Sequence, residues 1–369
     1  MHNKIEVFVD VEPLGIRAAK LDSGRLQAFA IFPNNFFDAT GTIVRGKIKK
    51  IDKNFDAGFI DIGSDLPSFL PNISKIRDAY ENKSLILEIV VPPREDKGAI
   101  VRVNNNNLYE EKGPLGTLCG PSDTPTKIFE QLCIPKPDKI YISGKEMCSL
   151  MSKFHGIQKC IKCFSKNDFV IKDEFLIYEI ESLFEPIYEL PKGGTLIFSH
   201  TPALVAIDVN GSSKMTPEEN NIIAAEEISR QIKLRNIAGV IFVDFISMRN
   251  RLSRVKLVNS LRAICRFDKQ ITSISSMSRT GFIEIVRQRK GVGLNDYSSE
   301  TLVSMSVARN IIRETQSTIA GSINVIASPK VIGYLSTVEN IFPRKLNLFA
   351  DETKNVKEYE ITFQQNKIR

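Results

Sequence analysis

The sequence predicts a mixed α/β protein of several domains, and three observations lead to that class. Short strand-like segments separated by glycine turns follow one another closely over residues 40–103, a spacing typical of a small β-barrel such as an OB-fold. Strand-like and helix-like segments then alternate over residues 138–290, as they do in a sheet covered by helices. The 369 residues leave room for two or three domains with sizeable cores.

The composition is that of an ordinary globular protein, with 42% hydrophobic and 25% charged residues. The net charge of +7 suits an anionic partner without requiring one. No apolar run approaches the roughly 20 residues of a membrane span. The first residues, MHNKIEVFVD, lack the order of a secretion signal. With six cysteines and no such signal, we expect a cytoplasmic protein in a reducing compartment.

The remaining segments are assigned in chain order. Residues 4–32 alternate apolar and polar side chains around a turn signal at residues 22–24, which predicts an antiparallel meander ahead of the barrel. Residues 104–137 are rich in Asn, Gly, Pro and Lys, which predicts a linker with one short helix near residues 128–132. Residues 291–369 are expected to form a last α/β piece, with a helix near residues 300–316.

Two apolar runs in the α/β segment, LVAIDVN and VIFVDF, predict buried strands that each end in an aspartate, Asp208 and Asp244. Between them, Thr216, Pro217 and Glu219 supply the N-cap, the first helical position and the capping box of a helix. A strand–helix–strand unit makes its strands parallel neighbours or near neighbours. Both aspartates are therefore expected at the same edge of the sheet, where open α/β sheets bind ligands.

Two carboxylates held close together repel each other unless one is protonated or they share a divalent cation. Magnesium favours one or two carboxylates and keeps several waters, which phosphate oxygens can replace. Asn210 points the same way along the strand as Asp208 and is a candidate to bind a phosphate or a water. These residues favour a metal site. The alternative is that both acids are helix N-caps or loop charges.

The stretch from Leu190 to Arg289 resembles the catalytic core of the ribonuclease E/G endoribonucleases. The resemblance rests on the segments LPKGGTLIFSHTPALVAIDVN, AAEEISRQIKLRNIAGVIFVDFISM and SRTGFIEIVRQR. Upstream, GTIVRGKIKKIDKNFDAGFIDIGSDLPSFLP is similar to the RNA-binding OB-fold of that family. Downstream, NVIASPKVIGYL is similar to its small C-terminal domain.

The resemblance implies an RNase H-like and DNase I-like catalytic core with an inserted OB-fold barrel and a small C-terminal α/β domain. The expected boundaries are the N-terminal strands of the RNase H-like subdomain at residues 1–35, the OB-fold RNA-binding domain at 36–103, a linker replacing the family's 5′-sensor at 104–136, the catalytic core at 137–290 and the small C-terminal domain at 291–369.

The resemblance also implies roles for single residues. Asp208 and Asp244 are expected to coordinate Mg²⁺, with Mn²⁺ as an alternative, and Asn210 is expected to assist at the scissile phosphate. The implied activity is magnesium-dependent endonucleolytic cleavage of single-stranded RNA in RNA processing or decay, leaving a 5′-phosphate. Phe59 and Phe69 are expected to stack on RNA bases. Their alternative role is core packing.

Lys97 matches a basic position of the family beside the two phenylalanines.

Three departures from the family pattern change what is expected. No sensor motif is visible in residues 104–136, so we expect no 5′-end sensing. The chain has no cysteine after Cys265, so zinc is not expected and the oligomeric state stays open, a homodimer included. Cys160 and Cys163 form a C-x-x-C without a second pair and are expected to be ordinary thiols. The family pattern DFIDM is DFISM here, with Ser247 in place of an acid.

Two other functions stay open at the level of the sequence. One is a catalytically weak or inactive RNA-binding protein of the same fold, and the other is a ribosome-associated factor that uses only the OB-fold. The retention of Asp208, Asn210 and Asp244 favours the enzyme, because a pure binder has no need of all three. Ser247 and the missing sensor favour the binders.

Overall fold

The structure is a computed structural model that describes residues 4–94, 97–105, 108–166, 168–317, 321–342 and 344–364. Asn106 and Asn107 of the predicted linker, and parts of the predicted C-terminal piece, lie outside the described residues. The chain divides into two compact units. The first comprises Met1–Phe37, Thr124–Phe184 and Leu294–Arg369, and the second comprises Asp38–Asp123 and Glu185–Gly293.

The strands, in chain order, are β1 (Ile5–Glu12), β2 (Gly15–Asp22), β3 (Arg25–Pro33), β4 (Ile43–Asp52), β5 (Ala57–Asp61), β6 (Ser68–Pro71), β7 (Ser84–Val91), β8 (Ile100–Val103), β9 (Gly116–Cys119), β10 (Lys139–Ser143), β11 (Ile161–Phe164), β12 (Ile187–Glu189), β13 (Gly194–His200), β14 (Leu204–Gly211), β15 (Gly239–Asp244), β16 (Ile271–Ile274), β17 (Phe282–Arg287), β18 (Ser322–Ala327), β19 (Leu346–Ala350) and β20 (Tyr359–Gln364). The helices are α1 (Thr124–Leu132), α2 (Lys145–Met151), α3 (Glu174–Ser182), α4 (Pro217–Leu234), α5 (Arg251–Cys265), α6 (Ser299–Ser317) and α7 (Pro329–Ser336). Across the described ranges, none of these helices combines the length and the apolar character needed to cross a bilayer.

The first unit is built on a five-stranded sheet in the order β11-β10-β1-β2-β3. Strands β1, β2 and β3 form the predicted antiparallel meander, and β10 and β11 continue the sheet in parallel with β1. Val7 and Val9 of β1 are fully buried and share a core with residues of α1 and α2. The same unit holds a three-stranded sheet in the order β19-β18-β20. The mixed α/β class predicted from the sequence is confirmed in this unit.

The second unit begins with a closed β-barrel. Its strands follow the order β5-β6-β8-β7-β4-β9, and an additional pairing of β5 with β4 closes a ring of five strands. Ile48, Ile60, Leu87 and Val101 are fully buried in its core. The small OB-like barrel predicted from closely spaced strands is therefore confirmed. Strand β9 lies within the segment predicted as a linker and pairs with β4 on the outside of this ring.

The second unit also contains a six-stranded sheet in the order β12-β13-β14-β15-β17-β16. Strands β14 and β15 are parallel, as predicted, and their other neighbours, β13 and β17, are antiparallel to them. Helix α4 connects β14 to β15 and begins at Pro217, with the predicted capping box between Thr216 and Glu219. Apolar side chains of α4, α5 and one face of the sheet form a common core.

One cysteine differs from the sequence-based expectation. Cys163 is not a free thiol, because it forms a disulfide bond with Cys148. Cys160, the other half of the C-x-x-C, is half-buried and free. Cys148 lies on α2 and Cys163 on β11, two neighbouring elements of the first unit. The sequence could not show this pairing, because it depends on the packing of α2 against the sheet.

Candidate active site and RNA-contacting surface

The two aspartates singled out in the sequence lie directly opposite each other. The register of the parallel pair runs from Leu204 opposite Val240 to Asp208 opposite Asp244. Asp244 is the last residue of β15, whereas β14 continues to Gly211 along β13. The two carboxylates therefore emerge side by side where the parallel ladder ends.

Alternation along the strands decides which face of the sheet carries the acids. Val205, Ile207 and Val209 of β14 belong to the core shared with the helices, and so do Ile241 and Val243 of β15. The intervening residues point to the opposite face, because successive side chains of a strand alternate. Asp208 and Asn210 are exposed there, and Asp244 is half-buried. The acids thus lie on the face of the sheet that points away from α4 and α5.

Asn210 is oriented by the first aspartate. Its Nδ2 donates a hydrogen bond of 2.9 Å to Oδ2 of Asp208. Burial raises the pKa of Asp244, and the negative charge of Asp208 raises it further. The pair consequently resists carrying two negative charges, as expected for neighbouring carboxylates without a counter-ion.

The donor set fits a magnesium-type cation. Two facing carboxylates and a nearby amide supply oxygen ligands only, and Mg²⁺ is typically held by one or two carboxylates while waters fill the remaining positions. Within the described ranges, no group of three or more His, Cys, Asp or Glu side chains could hold a metal ion. Two carboxylates would leave most of the coordination positions of such a cation to water.

A turn next to Asp244 was not assigned a role from the sequence. Phe282 lies opposite Asp244 in the pairing of β15 with β17, and the turn before it contains Ser278, Arg279 and Gly281. A Cβ atom at Gly281 would lie 3.9 Å from Oδ1 of Asp244. Arg279 is exposed on this turn. The sequence SRTGF contains a turn signal, but nothing local shows that the turn faces an aspartate on another strand.

Ser247 lies in the loop that leaves β15, three positions after Asp244, and its side chain is exposed. A serine hydroxyl contributes no negative charge to the site.

The two phenylalanines proposed for RNA contact form a pair on the barrel. Phe59 on β5 and Phe69 on β6 are register partners, and their ring centroids are 6.1 Å apart in a T-shaped arrangement. Both rings are half-buried, whereas their neighbours Ile60 and Leu70 point into the barrel core. The alternation therefore places the pair on the outer surface of the barrel and not in its core.

Exposed cationic residues lie on segments next to this pair. Lys97 is exposed and pairs through its backbone with Arg94. Lys97 lies two residues before Ala99. The carbonyl oxygen of Ala99 accepts a hydrogen bond of 2.8 Å from the backbone N–H of Phe69. Lys50, which the sequence reasoning missed, is exposed and lies opposite Phe59 across β4 and β5. Alternation in GKIKKID would place Lys50 on the side of the buried Ile48, and only the register shift between these two residues brings it opposite Phe59. The aromatic pair belongs to the barrel and the acid pair to the six-stranded sheet, so the two sets lie on separate sheets of the same unit.

Comparison with known proteins places these features in a family. Residues 103–290 match the sequence model of the Ribonuclease E/G family. The chain is 31% identical to ribonuclease E of Buchnera aphidicola subsp. Schizaphis graminum in an alignment that covers 95% of this chain and 47% of that protein. It is 38% identical over 127 residues to ribonuclease E of Escherichia coli, covering 32% of this chain and 12% of that protein. It is 37% identical over 128 residues to the chloroplastic ribonuclease E/G-like protein of Arabidopsis thaliana, covering 31% of this chain and 13% of that protein.

The chain spans less than half the length of the Buchnera relative. The alignment itself runs over 455 positions, which is 86 more than the 369 residues of the chain. It therefore includes at least that many positions at which the relative has a residue and this chain has none. The match covers both the barrel and the six-stranded sheet, because it takes in 95% of the chain.

Proposed function

The chain belongs to the ribonuclease E/G family, and from this premise we propose that it is a magnesium-dependent endoribonuclease. It cuts single-stranded RNA at internal positions, in RNA processing or decay, and leaves a 5′-phosphate. The observation that carries the proposal is the register of Asp208 opposite Asp244 at the end of two parallel strands. Two neighbouring carboxylates repel each other unless a divalent cation binds between them. They lie at the sheet edge where α/β folds bind their ligands.

Asp208 and Asp244 would hold the cation. When bound, a divalent ion activates a water and stabilises negative charge on phosphoryl oxygens. Asn210 keeps the Asp208 carboxylate in one orientation through its hydrogen bond of 2.9 Å. Its own side-chain oxygen extends from the same face of the strand and is suited to bind the scissile phosphate through a water. Arg279, exposed on the turn beside Asp244, is placed to attract the RNA backbone.

We assign the five-stranded sheet of the first unit to the RNase H-like part of the family fold and the six-stranded sheet to the DNase I-like part. The order β11-β10-β1-β2-β3, with three antiparallel strands followed by two parallel ones, supports the first assignment. The barrel is inserted between β3 and β10 in the chain, which supports its role as the inserted RNA-binding domain.

A cleavage assay on a labelled single-stranded RNA, with and without magnesium, tests the proposed activity. We expect internal cuts whose downstream products carry a 5′-phosphate, and we expect no cuts when the metal is removed with a chelator. An RNA of the same sequence in a duplex serves as the matched substrate control. Binding of the RNA without cleavage at any magnesium concentration would contradict the proposal.

That outcome would instead support the second candidate, a catalytically inactive RNA-binding protein of the same fold. Ser247 is the observation that favours it, because a neutral hydroxyl stands where the family pattern has an acid. Replacing Ser247 with aspartate separates the two candidates. Activity gained only in the Ser247→Asp variant would show that the wild-type chain is a binder.

The aromatic pair provides the RNA platform in this proposal. Phe59→Ala or Phe69→Ala is expected to weaken single-stranded RNA binding by about 1–3 kcal/mol for each base stack lost. The rings are half-buried on the barrel surface, so removing them leaves the barrel core intact. Fluorescence anisotropy with a labelled oligonucleotide measures the change.

Phe175→Ala is the control for this experiment, because that phenylalanine is 63% exposed on α3 in the other unit. We expect its RNA affinity to equal that of the wild type. Unchanged affinity of the Phe59 and Phe69 variants, combined with a large loss of thermal stability, would show that the pair serves only packing.

The third element of the proposal is the lack of 5′-end sensing. Terminal phosphates are recognised by charge-assisted donors, typically an arginine fork, and residues 104–136 contain no arginine. Residues 110–119 of this segment lie against strand β4 of the barrel. Arg45 donates hydrogen bonds to the carbonyl oxygens of Glu110 and Pro114, at 2.9–3.1 Å. Lys112 and Lys127 are point charges that discriminate poorly between phosphates.

Cleavage is accordingly expected to be nearly indifferent to the 5′ end of the substrate. The measurement is kcat/KM on three oligonucleotides of one sequence that begin with a monophosphate, a hydroxyl or a triphosphate. A tenfold preference for the monophosphate, about 1.4 kcal/mol, would contradict the prediction.

A further inference from the structure

Helix α4 carries two consecutive asparagines in its first turns, Asn220 and Asn221. Asparagine is a poor helix former, and burying its amide is costly unless the amide is hydrogen-bonded. Nevertheless Asn220 is only 3% exposed and Asn221 is fully buried. Two such residues in adjacent positions indicate that their side chains bond to something outside the helix.

Asn221 bonds to the loop that follows Asp244. Its Nδ2 donates to the carbonyl oxygen of Ile246 at 2.8 Å, and its Oδ1 accepts from the backbone N–H of Ile246 at 3.0 Å. The amide thus satisfies both backbone groups of one residue, as a neighbouring strand would. Strand β15 ends at Asp244, so the sheet no longer holds the chain at Ile246. Two residues after Asp244, Asn221 therefore supplies the hydrogen bonds to the backbone that the sheet no longer provides.

Asn220 bonds in the same way to the loop that follows Asp208 and Asn210. Its Oδ1 accepts from the backbone N–H of Ser212 at 2.8 Å, and its Nδ2 donates to the carbonyl oxygen of Ser212 at 3.1 Å. The same Nδ2 lies within 3.2 Å of the carbonyl oxygens of Met215 and Thr216. Two adjacent residues of α4 therefore bind the chain just beyond the strand that carries Asp208 and just beyond the strand that carries Asp244.

Gly211 lies between Asn220 and the loop that Asn221 binds. A Cβ atom at this position would lie 2.5 Å from Cδ1 of Ile246 and 2.7 Å from Cγ of Asn220. The chain after Asn210 can therefore approach both the asparagine and the second loop only because residue 211 has no side chain. The two loops and the helix form one packed junction.

We propose that Asn220 and Asn221 are positioning residues that set the separation and orientation of Asp208 and Asp244 for the divalent cation. The inference rests on the proposed function, since it assigns these aspartates as the metal ligands. Adjacent residues of a helix have a fixed geometry, so binding one loop each fixes the two strand ends relative to each other. The like charges of the aspartates would otherwise drive these ends apart.

The proposal is tested by direct metal binding as well as by cleavage. Asn221→Leu keeps a side chain branched at Cγ and removes both hydrogen bonds, and Asn220→Leu does the same on the first loop. Manganese(II), an oxygen-preferring ion that electron paramagnetic resonance detects, is titrated into each full-length variant. We expect the affinity for manganese and kcat to fall about 10- to 100-fold, while KM for RNA stays at the wild-type value because the aromatic platform is unchanged.

Gln231→Leu is the matched control, because it also removes a buried amide from α4. Gln231 is 1% exposed and its Oε1 accepts a hydrogen bond of 3.0 Å from Nε of Arg235. This variant should lose thermal stability like the asparagine variants and should keep the wild-type manganese affinity. Asn221→Ser, a milder change whose hydroxyl cannot bond both backbone groups of Ile246, covers the case in which the leucine variant does not fold.

Wild-type manganese affinity and wild-type kcat in folded Asn220 and Asn221 variants would overturn the proposal. An equal loss of manganese affinity in Gln231→Leu would also overturn it, because the effect would then be one of general stability. A wild-type protein that binds manganese but does not cut RNA would refute the proposed activity, and the positioning role would still be judged by the affinities. A wild-type protein that binds no manganese would refute both.

Discussion

Replacing either Asp208 or Asp244 by asparagine is expected to lower magnesium-dependent RNA cleavage by about 10²-fold or more. Asparagine preserves the shape of the side chain and removes the charge that attracts the cation. The two residues are register partners on parallel strands, so neither variant can be compensated by the remaining carboxylate alone. The measurement is kcat on a labelled single-stranded RNA at saturating magnesium.

The same substitutions should leave the fold intact. Burial and the charge of Asp208 both raise the pKa of Asp244, so the charged pair destabilises the folded protein in the absence of a cation. Removing one charge relieves that repulsion, and we expect a thermal midpoint at or above the wild-type value. RNA binding through Phe59 and Phe69 should be unchanged.

Glu226→Gln is the control, because Glu226 is exposed on α4 and its replacement removes one negative charge from the same unit. It should cleave like the wild type. Cleavage at the wild-type rate by Asp208→Asn or by Asp244→Asn would refute the site assignment.

Arg309→Met is expected to destabilise the first unit by about 3–5 kcal/mol, because it removes the arginine that pairs with the buried carboxylate of Asp10. Arg309 lies on α6 and is 5% exposed. Its Nη2 donates hydrogen bonds of 3.0 Å to Oδ2 of Asp10 and to the carbonyl oxygen of Ile171, and its Nη1 bonds to Glu12. Asp10 and Glu12 lie on β1, and Arg17 on β2 also pairs with Glu12, at 3.3 Å.

Urea unfolding followed by circular dichroism measures the change. Arg313→Met on the exposed side of the same helix is the control and should alter stability little. A double-mutant cycle with Asp10→Asn identifies the cause, because the double variant no longer holds that buried charge unpaired. We expect it to be less destabilised than the sum of the single variants. Simple additivity, or a loss no larger than that of Arg313→Met, would contradict the prediction.

Much of the acid pair could be predicted from local patterns. An apolar run that ends in an acid indicates a buried strand with a polar end, and the motif of Thr216, Pro217 and Glu219 indicates where the intervening helix begins. The strand–helix–strand connection then makes the two strands parallel. These rules are enough to predict that Asp208 and Asp244 lie near each other. They do not predict the residue-by-residue register, because local rules allow the strands to slide or to be separated by another strand.

The phenylalanines illustrate an ambiguity that the sequence leaves open. Phe59 and Phe69 sit in short strands where either face is chemically acceptable for an aromatic ring, so core packing and RNA contact were both consistent with the residues alone. Barrel closure through the β5–β4 pairing decides which face is inside. Ile60 and Leu70 fill the interior, and the two rings are left on the outer surface.

The sequence by itself determined the fold class, the closely spaced strands of the barrel, the capped helix α4 and the two apolar strands that end in Asp208 and Asp244, because each is indicated by a pattern within one short segment. The tertiary structure alone decided the hydrogen bonds of Asn220 and Asn221 to the two loops and the Cys148–Cys163 bond. It also decided the pairing of Arg309 with Asp10, two residues that are 299 positions apart. The physical reason is that a buried polar group must find a partner wherever packing brings one, and the chain order places no limit on where that partner lies.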